Sequence, residues 1–222
     1  MILLSRKGGE AMLMRSMFGM IGAYLLGSIP FGYLLVKYVF TDRVDVRTIG
    51  SRSIGATNVS RIAGAKGGIL TGLLDIGKGM AAVVFAGKLT ANDPWWMGMA
   101  VVLAVTGHIF PVWIGFRGGK GVATGAGGYL LLSPLAVLSG LVLWAVIVYA
   151  KRYVSLGSIF ATASIPFWIW FWGEKVLRHP QQEIQPLVVT AALTGALIIF
   201  RHRENIRRLL AGTERKLGAR VS

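Results

Sequence analysis

The chain has 222 residues, of which 54% are hydrophobic and 15% are charged, and its formal net charge is +15 at pH 7. An ordinary soluble domain is less apolar and spreads its charge along the chain, so this composition argues against that class and indicates an all-α membrane protein with several spans. The chain has no cysteine, which excludes a disulfide framework and a thiolate nucleophile. The three histidines are scattered, and neither a metal nor a cofactor is predicted.

The first sixteen residues, MILLSRKGGEAMLMRS, carry cations and precede an apolar run that lacks a small-residue cleavage pattern. They are interpreted as an N-terminal extension and not as a removable signal peptide. Met17 is a candidate for the true start, and the alternative is a genuine mobile tail. Residues 17–222 are predicted to form a single integral-membrane domain with a basic C-terminal tail.

The first predicted span covers residues 18–40. Near its middle, Pro30 and the small residues Gly27 and Ser28 predict a kink or close helix packing. Residues 41–67 are polar and basic and are predicted to form a loop. The third span, residues 95–114, opens with two tryptophans, which suit the headgroup layer.

The second predicted span, residues 68–88, contains two charged residues, Asp75 and Lys78. Their spacing of three places both on one face of a helix. A lone charge in the middle of a span is costly, so we expect these two side chains to pair or to line a polar cavity.

The apolar stretch 122–150 is too long for one ordinary helix, and Pro134 supplies a break within it. Two short helices joined by a tight turn are therefore predicted. Further spans at 157–173 and 186–200 bring the predicted number to seven. The alternative is six spans, with 122–150 as one tilted helix.

Lysine and arginine are concentrated in four segments, called the basic segments below: 41–67, 115–121, 151–156 and 201–222. Cytoplasmic loops of membrane proteins are enriched in these residues, so the basic segments are predicted to face the cytoplasm. The N-terminus is then periplasmic and the C-terminus cytoplasmic. A basic soluble protein would suggest nucleic acid, but here the cations indicate anionic headgroups or substrates, and no nucleic acid partner is predicted.

Residues 115–121, GFRGGKG, are called the glycine turn. Glycine lets backbone N–H groups approach a ligand closely, and a helix starting near Val122 would direct its positive end to the same point. Substrate phosphate is therefore predicted to bind at Gly118, Gly119, Lys120 and Gly121. The alternative is a basic loop that only determines topology. The Walker pattern is not met, because Gly121 follows Lys120, so an ATPase is not favoured.

The first basic segment contains SRSIGATNVSR, which supplies hydroxyl, amide and guanidinium groups, with Ser51, Asn58 and Arg61 as candidates for binding substrate. The alternative is a solvated loop with helix-capping residues.

Further polar side chains lie in the third basic segment, just after it, and in the fourth basic segment. Ser155 and Ser158 are candidates either for the site or for a helix N-cap. His202 and Asn205 are three apart and share a helical face. His108, near the end of a span, favours a structural hydrogen bond over a catalytic role.

Taken together, these segments resemble the bacterial acyl-phosphate:glycerol-3-phosphate acyltransferase family. The likeness covers about residues 17–216, and its motifs lie at 50–61, which matches G-S-x-x-x-G-A-T-N-V-x-R, at 107–124, at 155–159 and at 201–216. One departure stands out, because the family usually reads G-S-G-N where this chain has Gly50, Ser51, Arg52 and Ser53. That difference concerns the local turn and any role of an asparagine at position 53.

The resemblance implies a seven-helix enzyme of the cell inner membrane with its active site facing the cytoplasm. It implies acyl transfer from acyl phosphate to the 1-hydroxyl of glycerol 3-phosphate, giving lysophosphatidic acid and phosphate, the first step of phospholipid synthesis. The family's catalytic residues correspond to Ser51, Arg61, Lys120, Ser158, His202 and Asn205. Arg61 and Lys120 are assigned to the phosphates, and Ser51, Ser158 and Asn205 to orienting the substrates and the reacting carbonyl.

Acyl phosphate is already activated, so catalysis can rest on positioning two anions and stabilising the oxyanion, without a cofactor. The substrate's own phosphate, a serine nucleophile and His108 as base remain alternatives. The expected partners are the two substrates and membrane lipids, and the protein is expected to be a monomer. Competing functions are a transporter of a phosphorylated metabolite, for which no clear inverted repeat is seen, and a membrane scaffold or lipid-binding protein.

Overall fold

The computed structural model describes residues 2–218, and this part of the chain contains helices and no strand. The α-helices are α1 (Ile2–Ser28), α2 (Phe31–Leu35), α3 (Ala56–Leu89), α4 (Pro94–Ile109), α5 (Val122–Leu132), α6 (Pro134–Lys151), α7 (Val154–Trp170), α8 (Gln181–Arg201) and α9 (Arg203–Leu210). Short π-helical turns follow α2 at Val36–Phe40 and α7 at Phe171–Val176, and a 3₁₀ turn lies at Val112–Ile114. The prediction of an all-α membrane protein is confirmed at this level.

Within residues 2–218, six helical segments are long and apolar enough to cross a membrane: Met12–Phe40, Ala56–Leu89, Pro94–Ile114, Pro134–Lys151, Val154–Val176 and Gln181–Arg201. The predicted break in 122–150 is confirmed, since α5 ends at Leu132 and α6 begins at Pro134. α5 has 11 residues. At about 1.5 Å per residue, α5 is long enough to cross roughly half of the ~30 Å hydrocarbon core.

The kink predicted at Pro30 is confirmed, because α1 ends at Ser28 and the helix resumes at Phe31. Proline has no N–H group to donate, so the hydrogen-bond ladder is interrupted there. Beside this break, the carbonyl of Ile29 accepts from the N–H of Phe31 at 3.1 Å and from Lys78 of α3 at 2.8 Å.

The predicted loop 41–67 is shorter than expected, because α3 begins at Ala56. A kink at Gly64, where φ is 72°, separates its first turns from the long apolar part. These first turns are helical because Val59 is fully buried in a small core with Val36, Val46 and Ile54. Because most residues of this segment are polar, the sequence did not predict that one face of these turns is buried.

Close helix contacts at glycines place α5 beside α3. A Cβ atom on Gly79 of α3 would overlap the backbone of Thr124, and one on Gly127 of α5 would overlap the backbone of Ile76. Small residues of this kind let helices in membranes approach closely. The contact holds the first turn of α5, and the glycine turn before it, against α3.

Candidate active site

A polar cavity of about 320 Å³ lies where the four basic segments meet, at one end of the helix bundle. Its lining includes all six residues predicted as catalytic, namely Ser51, Arg61, Lys120, Ser158, His202 and Asn205, together with Asn58 and Gly121. Segments far apart in the sequence therefore line one pocket.

Asn58 holds the first basic segment in place. Its amide nitrogen donates to the carbonyls of Val46, Ile49 and Ser53 at 3.0 to 3.2 Å. Its amide oxygen accepts from the backbone N–H of Ser51 at 2.9 Å. Asn58 was predicted to bind substrate, but its polar atoms are engaged with the loop. Its observed contribution is to place Ser51 on the cavity wall.

The glycine turn differs from the predicted anion nest. The N–H of Gly118 donates to the carbonyl of Ile109 at 3.1 Å, and the N–H of Gly119 donates to the carbonyl of His108 at 3.0 Å. These two N–H groups are therefore taken by the end of α4. A Cβ on Gly119 would overlap the His108 ring, so the glycine is needed for close packing. Gly121, with φ at 87°, is the N-cap of α5 and lines the cavity.

Lys120 is the side chain that the glycine turn directs into the cavity. Burial lowers the pKa of Lys120 to about 8, and the neighbouring cations Arg208 and Arg61 act in the same direction, while the Glu214 carboxylate opposes them. Val122 and Ala123, the first residues of α5, form the adjacent wall. The positive end of that helix and Lys120 thus act on the same space.

Neither Ser155 nor Ser158 caps a helix. The N-cap of α7 is Tyr153, which makes no side-chain capping bond. The Ser158 hydroxyl donates to the carbonyl of Val154 at 2.9 Å, and the Ser155 hydroxyl donates to Glu214 at 2.8 Å. Both serines are buried and line the cavity.

Glu214 is a site residue that the sequence analysis missed. Its carboxylate accepts from Asn205 at 2.6 Å and from Arg208 at 2.7 Å, in addition to Ser155. Burial works to raise the pKa of Glu214, but these hydrogen bonds outweigh it and hold the pKa below its ordinary value. The sequence did not single it out, because the same basic tail contains a second acid, Glu204.

His202 is buried, and burial together with the charge of Lys120 lowers its pKa to about 4. The ring is therefore neutral near pH 7. Nδ1 lies 2.8 Å from the carbonyl oxygen of Ile198, which can only accept, so Nδ1 carries the hydrogen. Nε2 is then a hydrogen-bond acceptor at the cavity.

The pair predicted within the second span is confirmed, because Lys78 Nζ lies 2.8 Å from Asp75 Oδ1. His108 Nδ1 lies 3.5 Å from the same oxygen, and all three side chains are 2% exposed. Asp75 and His108 also border the polar cavity. The sequence predicted the pair but not its contact with His108.

An apolar groove of about 360 Å³ adjoins the polar cavity, and Val122 and Trp144 line both. Helices α5 to α8 and Ile76 of α3 form the groove, and three glycines, Gly125, Gly140 and Gly195, widen it. A ligand with a polar head and a long apolar chain fits this arrangement.

Residues 17–212 match a family model described as glycerol-3-phosphate acyltransferase. The chain belongs to this family. A Trichlorobacter lovleyi protein of that name is 46% identical over 205 residues, covering 91% of this chain and 98% of the relative. The one from Anaeromyxobacter dehalogenans (strain 2CP-C) is 46% identical over 198 residues, covering 87% and 93%. The resemblance predicted from the four motifs is confirmed.

Two solved structures of the family share the fold. They are crystal structures of PlsY (YgiH), described as an integral membrane glycerol 3-phosphate acyltransferase. The glycerol 3-phosphate form has a TM-score of 0.80 at 42% identity, covering 91% of this chain and 96% of that chain. The lysophosphatidic acid form has a TM-score of 0.78 at 41% identity, covering 91% and 95%.

In this member of the family, Arg52 stands at the predicted departure from the usual glycine. Its φ is 55°, a left-handed conformation that costs a residue other than glycine about 1 kcal/mol. The side chain is exposed, whereas the hydroxyl of Ser53 accepts from the N–H of Gly55 at 3.3 Å. The turn therefore keeps a glycine-like backbone at position 52.

Proposed function

We propose that this protein transfers a fatty acyl group from acyl phosphate to the 1-hydroxyl of glycerol 3-phosphate. The products are lysophosphatidic acid and inorganic phosphate, in the first step of phospholipid synthesis. The observation that carries the proposal is the junction of a cationic cavity with an apolar groove. Within residues 2–218, Arg61 and Lys120 line that cavity and take part in no ion pair of 4.0 Å or less.

The junction suits the two substrates. The acyl chain would lie in the groove, and its carbonyl would lie near Trp144 and Val122, which line both spaces. Two phosphates would share Arg61, Lys120 and the start of α5. Holding the reactants together in this way supplies much of the rate acceleration expected of a positioning enzyme.

In the proposed reaction, the glycerol 1-oxygen bonds to the acyl carbon and the bond from that carbon to the phosphate oxygen breaks. We assign the released proton to a substrate phosphate. Ser158 donates to a backbone carbonyl, and the His108 ring packs against Gly119, so neither is placed as a base or an activated nucleophile. Mass spectrometry after mixing enzyme and acyl phosphate alone should find no acyl-enzyme; a stoichiometric acyl-serine would refute this assignment.

The activity is tested with purified protein in detergent, acyl phosphate and glycerol 3-phosphate. We expect lysophosphatidic acid and inorganic phosphate in equal amounts. When glycerol 3-phosphate is omitted, we expect no lysophosphatidic acid and no more phosphate than spontaneous hydrolysis of acyl phosphate releases. Parallel reactions with acyl-CoA and acyl-carrier-protein thioesters test the donor. A transporter or a scaffold would yield no lysophosphatidic acid with any donor, and turnover with thioesters alone would refute acyl phosphate as the donor.

We expect kcat/KM for glycerol 3-phosphate to fall as the pH rises through about 8. Lys120 loses its proton there because burial lowers its pKa to about 8, and an uncharged amine no longer attracts phosphate. Lys120→Arg should remove this alkaline limb, since arginine stays protonated. The check is a rate profile from pH 6.5 to about 9.5; an unchanged limb in Lys120→Arg would exclude Lys120 as its source.

Substitution of a groove glycine should change the preferred acyl length. A Cβ on Gly195 would meet Thr162 only at 3.6 Å, so a larger side chain fits the helix and fills the groove. Gly195→Leu is expected to lower kcat/KM for a sixteen-carbon acyl phosphate about tenfold or more, while an eight-carbon donor is little affected. Gly77→Leu is the matched control, because Gly77 is exposed on α3 with open space around it. Equal losses with both donors would exclude the groove as the acyl site.

We also propose seven crossings, with the N-terminus periplasmic, the C-terminus cytoplasmic and the cavity facing the cytoplasm in the inner membrane. Lys120 and Ser158 line one cavity, and the full-length span α6 lies between them, so α5 must carry the chain to the opposite face. Trp113 and Phe116 are 59% and 57% exposed, which suits a glycine turn in the headgroup layer.

Single cysteines in this cysteine-free chain test that topology. Arg117→Cys should react with a membrane-impermeant maleimide only from the cytoplasmic side, and Ser133→Cys, between α5 and α6, only from the periplasmic side. Reaction of both from one side would refute the seven-crossing arrangement.

We further propose that the enzyme is a monomer that contacts membrane lipids, and that residues 1–16 are an extension before a domain spanning 17–222. Translation from Met17 should then give full activity, and light scattering corrected for detergent should give the mass of one chain. Loss of turnover from Met17 would refute the extension, and a dimer mass would refute the monomer.

A further inference from the structure

A buried polar network connects the break in α1 to the glycine turn. Lys78 Nζ donates to the carbonyl of Ile29, the residue before Pro30, at 2.8 Å. The same amine pairs with Asp75 at 2.8 Å, and Asp75 faces His108 Nδ1 at 3.5 Å. The break after α1 thus meets α3 at Lys78, and α4 meets α3 at the Asp75 carboxylate.

His108 contacts the glycine turn as well as Asp75. Its carbonyl accepts from the N–H of Gly119, and a Cβ on Gly119 would overlap the ring at Nε2. The turn therefore rests on both the backbone and the ring of this one histidine. The residue that follows is Lys120, so a shift or rotation of the ring is transmitted to the cation in the cavity.

Burial of the charged side chains of Asp75 and Lys78 is energetically unfavourable. Both members of the pair are 2% exposed within a bundle of apolar helices, and removal of two charges from water offsets much of their attraction. Ionisable residues within spans are generally retained for function. Helix packing alone could have used apolar residues of similar size.

We propose that Asp75, Lys78 and His108 are positioning residues that set the glycine turn, and hence Lys120, for phosphate binding. Lys78 fixes the Asp75 carboxylate, Asp75 fixes the orientation of the His108 ring, and the ring supports Gly119. None of the three needs to transfer a proton in the reaction. This inference rests on the function proposed above.

The experiment compares Asp75→Asn, Lys78→Met and the double variant Asp75→Asn/Lys78→Met. Each single substitution leaves an imperfectly compensated partner, so a lower melting temperature is expected. The double variant removes both charges and should recover most of the thermal stability. Its KM for glycerol 3-phosphate should nevertheless stay raised about tenfold, with kcat within about threefold of the parent, because the His108 ring lacks its anionic partner. Glu183→Gln, an exposed acid at the start of α8, is the control for loss of one negative charge.

A second arm varies His108 itself. His108→Asn keeps an N–H near the position of Nδ1, and we expect a KM closer to the parent than that of His108→Ala. Recovery of both KM and melting temperature in the double charge variant would overturn the proposal, since Asp75 would then be only a counterion of Lys78. Equal KM values for His108→Asn, His108→Ala and the parent would overturn it as well.

A readout that does not require turnover separates this proposal from the function itself. Glycerol 3-phosphate should raise the melting temperature of the parent and shift that of the double variant much less at the same concentration. If the parent binds glycerol 3-phosphate but makes no lysophosphatidic acid, the proposed function fails while the positioning role is still tested by binding. An equal ligand-induced shift in parent and double variant refutes the positioning role alone.

Discussion

Lys120→Ala is expected to lower kcat/KM for glycerol 3-phosphate by about a hundredfold to a thousandfold while the protein still folds and inserts. A preorganised cation in a water-poor site stabilises charge far more than one in water, and loss of one such group commonly costs this much. No ion pair within residues 2–218 competes for Lys120. Steady-state rates with purified variants in one detergent provide the measurement.

Arg117→Ala is the matched control for Lys120. It removes a cation from the same glycine turn, but its side chain is exposed, and the cavity lining includes Lys120 and not Arg117. We expect its turnover within about twofold of the parent, because exposed charges contribute little. A loss in Arg117→Ala equal to that in Lys120→Ala would mean that the turn acts through its overall charge and not through one directed amine.

Local sequence signals predicted the parts of the fold that depend on neighbouring residues. Pro30 and Pro134 break helices by the same missing N–H wherever they lie, so both breaks were foreseeable. The spacing of Asp75 and Lys78 likewise predicted their contact. Motif likeness then identified all six cavity residues assigned to catalysis, although no local rule placed them together.

Features that depend on tertiary approach were not predictable in this way. The sequence suggested that the N–H groups of Gly118 and Gly119 could bind a ligand, but in the fold they donate to carbonyls at the end of α4. The first turns of α3 were not predicted, because the residues that bury Val59 lie in other parts of the sequence. Glu214 could be recognised only once Ser155 and Asn205 were seen to converge on it.

The second large effect is expected at Arg61. Its position is set from both sides, by the Asn58 contacts that anchor the start of α3 and by the kink at Gly64. The guanidinium lines the cavity with Lys120, so the two cations can hold two phosphates. Arg61→Ala should therefore lower kcat/KM by about a hundredfold, consistent with loss of a charge-assisted, two-point grip on phosphate.

Arg61→Lys distinguishes charge from geometry. Lysine keeps the positive charge but cannot make two parallel hydrogen bonds, so we expect recovery of no more than about a tenth of the parental rate. Lys66→Ala is the control, because Lys66 is an exposed cation beyond the kink in the same helix. Full activity in Arg61→Lys would show that charge alone suffices. Full activity in Arg61→Ala would remove Arg61 from the phosphate site and leave Lys120 with the α5 N-terminus as its anion-binding elements.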